Sequence, residues 1–235
     1  MPQARLFLSL VMLACGSAAC LAAEEPQPVR GSRANEPFVD LAKTYPKLVI
    51  ELRYATPRNV TGYPIYPKKA RCYVRKSVAD RLEKARLFLR EYGANLKIWD
   101  AYRPAWAQEI LWKAIQNREY IGDPAKGGSL HRWGAAVDVT LVDLYGRELK
   151  MPSDFDTFTA EGRTLYEGPD PQIRNHVRLL QKAMHVAGFR MLYDEWWHFV
   201  ARDFLAFGPV ELALDEPLPE VIPAAPLRPL PATGP

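Results

Sequence analysis

Two clusters of polar residues have the types and spacing for metal chemistry. The first holds Ser129, His131, Gly134, Ala136 and Asp138, and the second holds Glu195, Trp197 and His198. Two imidazoles and one carboxylate make three ligands suited to a zinc ion, and three protein ligands leave one coordination position open for water. Glu195 stands three residues before His198, placed to take a proton from such a water. The set predicts a zinc hydrolase. Taken singly, each residue has an ordinary explanation. A lone histidine is usually a surface or satisfied core residue, a strand-start Asp is often a cap or turn former, and Asp194 and Glu195 could be solvated charges. The joint occurrence of His131, Gly134, Asp138, Glu195, Trp197 and His198 outweighs those readings. His176 and His185 fall on a predicted helix without metal spacing and keep the ordinary explanation.

These residues need rigid elements to hold them. Gly134, between His131 and Asp138, permits a bend that other residues resist. Ala136 to Val142 reads as a buried strand, with Val137, Val139 and Leu141 on one side and Asp138 and Thr140 on the other. His198 falls on a short final strand, Trp197 to Val200. Upstream, Leu48 to Tyr54 reads as a strand, and Thr56 to Lys69, with Pro57, Gly62, Pro64 and Pro67, as a loop. Ser77 is the predicted N-cap of a helix through Tyr92, with Val78, Leu82, Ala85 and Leu89 on its apolar face and Gly93 as its stop. A strand over Asn95 to Trp99 turns through Asp100 to Pro104 into a helix from Ala105 to Asn117. Gly122 to Gly128 is a predicted loop and Met151 to Pro171 irregular. A last helix runs from Ile173 to Ala187, with Gly188 just beyond it. Strands and helices mix without strict βαβ alternation, so the expected class is α+β.

At 235 residues, 48% hydrophobic and 25% charged, the chain can build one domain with a substantial core. Its net charge of +4 is small and dispersed, which argues against nucleic acid as a partner. Met1 to Ala23 reads as a secretory leader, with Arg5, an apolar run from Leu6 to Ala14, and small residues through Ala23. That run is too short for a stable membrane span. Cleavage leaves Cys72 as a single thiol, so no internal disulfide is expected. A lipid anchor at Cys15 or Cys20 is the alternative, although neither has a leucine three places before it. Residues 24–37 read as a flexible lead-in, 38–208 as the folded domain, and 209–235 as a Pro-rich tail that packs loosely.

The stretch Ser129-Leu130-His131-Arg132-Trp133-Gly134-Ala135-Ala136-Val137-Asp138 matches the pattern S-x-H-x-x-G-x-A-x-D, and Glu195-Trp196-Trp197-His198 supplies a second motif. Together they resemble the D-alanyl-D-alanine dipeptidases of the VanX type. Their zinc peptidase fold is shared with D,D-carboxypeptidases, some lytic endopeptidases and the hedgehog signalling domain. Trp99 to Pro104 is similar to the family's arginine motif. Arg53 to Thr56, with Asn59, Thr61 and Gly62, resembles its N-terminal loop, and Met151 to Asp156 the segment bearing its substrate-binding carboxylate. The likeness covers about Phe38 to Phe207.

The resemblance implies a single domain with a central, mainly antiparallel sheet flanked by helices. It implies one zinc ion bound by His131, Asp138 and His198, with Glu195 as general base and then acid, and Arg103 stabilising the oxyanion. Tyr54, Ser129 and Asp156 would surround the free amino end of a small dipeptide substrate, D-alanyl-D-alanine, cleaved to two D-alanines. Trp133, Trp196 and Trp197 would pack around the site. The resistance branch of the family lacks a leader and works in the cytoplasm. The leader here implies instead a periplasmic role in wall turnover or scavenging, with cell-wall association of the tail left open. The alternatives are a D,D-carboxypeptidase or endopeptidase acting on peptidoglycan stems, and a non-enzymatic zinc-stabilised binding module.

Overall fold

The computed structural model describes residues 29–115 and 120–218. The expected leader, the first residues of the lead-in, the end of the helix expected to reach Asn117, and the tail beyond 218 lie outside the described residues. The elements are β1 (Phe38–Asp40), α1 (Leu41–Thr44), β2 (Val49–Ile50), β3 (Tyr73–Arg75), α2 (Lys76–Arg90), β4 (Ala94–Asp100), α3 (Ala105–Ile115), β5 (Ala136–Asp143), α4 (Pro171–Val186), β6 (Phe189–Met191) and β7 (His198–Ala201). A five-stranded sheet has the order β2-β4-β5-β7-β6; β2 runs parallel to β4 and the other pairs are antiparallel. This is the α+β, mainly antiparallel architecture expected. β1 and β3 form a separate two-stranded ribbon.

One face of the sheet is apolar. Leu96, Ile98, Val137, Val139 and Leu141 are fully buried there, beneath α2 and α4. The covering stripes are Val78, Leu82, Ala85 and Leu89 of α2, and Val177, Leu180, Ala183 and Met184 of α4. Full burial of each larger aliphatic chain contributes about 1.5–3 kcal/mol. The other face carries Lys97, Asp100, Asp138 and Thr140, all buried. Asp100 reaches that face through a bulge. Ile98 pairs with Val139, but Asp100 pairs with Asp138, so β4 holds one extra residue at Trp99. A regular strand would have turned Asp100 to the side of Ile98; the bulge turns it to the side of Asp138. Asp138 in turn pairs with His198 of β7. Three polar residues therefore stand in a row across three adjacent strands.

Three local expectations are corrected. Only Val49–Ile50 of the stretch Leu48 to Tyr54 joins the sheet; the chain then tightens into a 3-10 turn over Arg53–Ala55. Arg53 drives that departure. It is fully buried above the Trp99 ring at 4.7 Å and paired with Glu51, Glu148 and Asp154 at 3.0–3.3 Å. Ser77 is not the cap of α2. The helix starts one residue earlier, and the Glu36 carboxylate accepts the Ser77 N–H at 2.8 Å, so the cap comes from a remote segment. The chain after Pro209 does not pack loosely as far as it is described. Val210, Leu212 and Leu214 are buried, and the Tyr102 hydroxyl donates to the Val210 carbonyl at 3.1 Å and accepts from the Leu212 N–H at 2.9 Å.

Arg75, at the end of β3, ties remote segments together. Its Nε donates to the Trp133 carbonyl at 3.0 Å, Nη1 to those of Ala34 and Glu36 at 2.8 and 2.6 Å, and Nη2 to that of Gly208 at 3.0 Å. The guanidinium lies 4.4 Å from the centre of the Phe38 ring. That ring fills the space a Cβ at Gly134 would need, and Gly134 has φ +67°. Burial pulls the Arg75 pKa down to about 10, so it stays charged at neutral pH. Arg75→Met would leave four carbonyls without their donor. It should cost about 3 kcal/mol or more, a fall in Tm of about 10 °C for a domain of this size. A thermal melt within about 2 °C of the wild type would show that the tie contributes little.

Candidate active site

The turn that carries His131 is a 3-10 turn over Leu130–Trp133, capped by Ser129, whose Oγ accepts the His131 N–H at 3.3 Å. His131 Nδ1 lies 2.7 Å from the Ala101 carbonyl. A carbonyl can only accept, so Nδ1 carries the proton and Nε2 presents its lone pair. Nε2 faces His198 Nδ1 at 3.2 Å and Asp138 Oδ2 at 3.4 Å, and His198 Nδ1 lies 2.9 Å from Asp138 Oδ1. All three residues are buried, and their ligand atoms lie within 4.8 Å of one another. Two imidazole nitrogens and a carboxylate converging on one point are a zinc donor set. Burial alone would raise the Asp138 pKa, but His131 and His198 outweigh it and hold the carboxyl well below the usual range.

Arg103 sits beside this set on the turn between β4 and α3. Its Nε and Nη2 contact Asp100 Oδ2 at 2.9 and 2.8 Å, Nη2 reaches Asp138 Oδ2 at 3.4 Å, and Nη1 donates to Gln108 Oε1 at 2.9 Å. The guanidinium lies over the Tyr54 ring at 4.9 Å. Asp100 serves both Arg103 and the metal set. Its Oδ2 lies 3.5 Å from His131 Nδ1, and Oδ1 accepts the Tyr66 hydroxyl at 2.8 Å. The sequence places Asp100 only within the turn and motif that carry Arg103, and gives Gln108 and Tyr66 no role. Three-residue spacing was the signal for Asp100; Tyr66, from a Pro-rich loop, had none.

Glu195 is half-buried on the turn before β7, with Oε2 3.7 Å from His198 Nδ1. Burial, and then the charges of Asp138 and Asp156, push its carboxyl well above the usual range. Asp156 lies in the irregular segment with φ +55°, the left-handed region that few non-glycine residues adopt. The Tyr54 hydroxyl donates to its Oδ1 and the Val60 N–H to its Oδ2, each at 3.1 Å. Burial raises the Asp156 pKa to about 7 despite those donors and Arg103.

One cavity of about 280 Å³ gathers these groups: Tyr54, Arg103, Ser129, His131, Asp138, Asp156, Glu195 and His198 all line it. Trp197 also lines it, and Trp196 packs edge-on behind Trp197. Trp133 does not reach the wall; its ring packs towards Phe204. His176 and His185 lie elsewhere, with His176 Nδ1 against the Lys150 carbonyl and His185 beside Arg202. No described helix is long and apolar enough to cross a membrane.

The Peptidase M15 family, described as D-ala-D-ala dipeptidase, matches residues 34–222. The D-alanyl-D-alanine dipeptidase of Escherichia coli (strain K12) is 38% identical over 162 residues, which cover 69% of this chain and 83% of that protein. The D-alanyl-D-alanine dipeptidase of Enterococcus faecium is 30% identical over 172 residues, covering 65% and 85%. Among solved structures, the vancomycin resistance D,D-pentapeptidase VanY in complex with Zn(II) overlays with a TM-score of 0.38 at 15% identity, covering 56% of this chain and 74% of that one. The family match takes in every residue of the cavity named above and most of the described fold, and the chain belongs to the D-Ala-D-Ala dipeptidase family of M15 peptidases.

Proposed function

We propose that the protein is an exported zinc dipeptidase that hydrolyses free D-alanyl-D-alanine to two D-alanines, in cell-wall peptide turnover or scavenging. His131, Asp138 and His198 hold the metal. Zinc bound there supplies Lewis acidity, which lowers the pKa of a water from about 15.7 toward 7. Glu195 takes the proton from the attacking water and passes it to the nitrogen of the leaving alanine. Its carboxylate lines the same cavity as the three ligands and lies 3.7 Å from His198 Nδ1, within reach of a water held there. Arg103, fixed on two sides by Asp100 and Gln108, faces the carbonyl oxygen as it gains charge. Such a group typically contributes about 100- to 1000-fold in rate.

The observation that carries the reading is Asp156. A buried carboxylate in the same cavity as the metal ligands and Glu195 calls for a cation. The ammonium of a free dipeptide provides one, whereas a stem peptide is acylated at that nitrogen. Tyr54 acts at the amino end through its bond to Asp156. Ser129, whose Oγ accepts from His131 and keeps its own proton free to donate, adds a hydroxyl to the wall. Support for export comes from Met1 to Ala23, with its single early charge and apolar run.

Glu195→Gln should keep its zinc and lose turnover by about 100- to 10,000-fold, measured by metal analysis beside D-alanine release; retained turnover would remove Glu195 as the base. The wild type should cleave the free dipeptide faster than a stem pentapeptide, and Asp156→Asn should raise KM for the dipeptide; preference for the pentapeptide would make the protein a carboxypeptidase. Asp156 also sets a pH signature in the metal-free protein. Its carboxyl titrates at about 7 when folded, against 3.8 for an ordinary aspartate, so the folded state keeps the proton longer. The stability it contributes is present below about pH 4 and is lost as pH rises through about 7. Metal-free Asp156→Asn should remove part of that slope in Tm against pH; an unchanged slope would mean an ordinary titration. Expressed in a Gram-negative host, the full chain should yield a periplasmic protein shortened by its leader; a full-length cytoplasmic product would rule out export.

A further inference from the structure

We propose that Gln108 is a positioning residue for Arg103, orienting the guanidinium through a neutral acceptor so that its positive charge stays available to the reacting carbonyl. This rests on the reading of Arg103 as the group facing the oxyanion. Gln108 lies on the first turns of α3 and is 3% exposed. Both ends of its amide are used. Oε1 accepts from Arg103 Nη1 and Nε2 donates to the Gly122 carbonyl, each at 2.9 Å. The flipped amide would set N–H against guanidinium N–H and oxygen against a carbonyl, so only one orientation pairs. The side chain is thereby locked, and it locks Nη1 in turn.

The neutrality of that acceptor matters because of what else Arg103 touches. Asp100 lies against Nε and Nη2 at 2.9 and 2.8 Å, and Asp138 approaches Nη2 at 3.4 Å. Two carboxylates already face one guanidinium. A third at position 108 would hold the side chain equally well but would offset the charge it presents to the cavity. An apolar side chain would preserve the charge but leave Nη1 unfixed, and transition-state stabilisation depends on the donor being in place beforehand. An amide satisfies both demands. Its other end reaches Gly122, which lines the cavity together with Gln108, so the same side chain links Arg103 to a second segment of the wall.

The test is a double-mutant cycle of wild type, Gln108→Met, Arg103→Ala and the double variant. Each is measured for zinc content, kcat, KM for D-alanyl-D-alanine, and inhibition by a tetrahedral phosphinate analogue of the dipeptide. Gln108→Met should lower kcat by about 10- to 100-fold, the range for a hydrogen bond to a charged group. KM and zinc content should change little, and phosphinate affinity should weaken with kcat. In the Arg103→Ala background the same substitution should cost nothing further. An equal loss in both backgrounds, or an unchanged kcat, overturns the proposal. Full activity in Arg103→Ala alone would instead overturn the reading of Arg103 itself. Should Gln108→Met fail to fold, Gln108→Glu keeps size and the acceptor for Arg103 while adding charge and losing the donor to Gly122; it should lose rate at an unchanged zinc content, and a wild-type kcat would overturn the proposal.

Discussion

The backbone register of β4, β5 and β7 is the constraint on which the site depends. Hydrogen bonds between strands fix which residues stand opposite one another, and a slip of one residue would turn each side chain to the wrong face. Asp100 opposite Asp138, and Asp138 opposite His198, is that register read at the site. The bulge at Trp99 is what admits Asp100 to the row. Arg103 and His131 then attach to Asp100 from two directions. The apolar face beneath, packed on α2 and α4, holds the register rigid.

Charge explains the rest of the cavity. Four carboxylates, those of Asp100, Asp138, Asp156 and Glu195, stand in or against it, with Arg103 as the guanidinium among them. Burying ionised carboxylates is costly unless cations balance them. The deficit shows in the raised pKa values of Asp100, Asp156 and Glu195, each led by burial. A divalent metal and a substrate ammonium are the charges that would make up the deficit. Outside the cavity the balance is local: buried Arg53, the chain neighbour of Tyr54, pairs with Glu51, Glu148 and Asp154.

The site was more legible in the sequence than the scaffold. His131, Asp138 and His198 have side chains whose chemistry is recognisable wherever they occur, and family likeness added Arg103 and Asp156; all line one cavity. What escaped depends on partners remote in sequence. Ser77 has a good capping side chain, yet Glu36 caps the helix. The run from Leu48 has strand propensity, yet Arg53 finds its carboxylates by leaving the sheet. Val210, Leu212 and Leu214 alternate as a half-buried extended segment should, a signal masked by the prolines that follow. Gln108 is an ordinary glutamine on a helix until the fold sets Arg103 beside it.

The grip of Arg75 makes the position of His131 answerable to distant parts of the chain. The carbonyls it gathers belong to the segment leading into β1, to the stretch that follows β7, and to Trp133, two residues beyond His131. Gly31 and Arg33 also bond to the carbonyls of Leu205 and Ala206, so the two flanks of the domain close on each other at this point. Tension applied to either flank, by a fused partner or a truncation that cuts past Ala34 or Gly208, is transmitted through one guanidinium to the turn that carries His131.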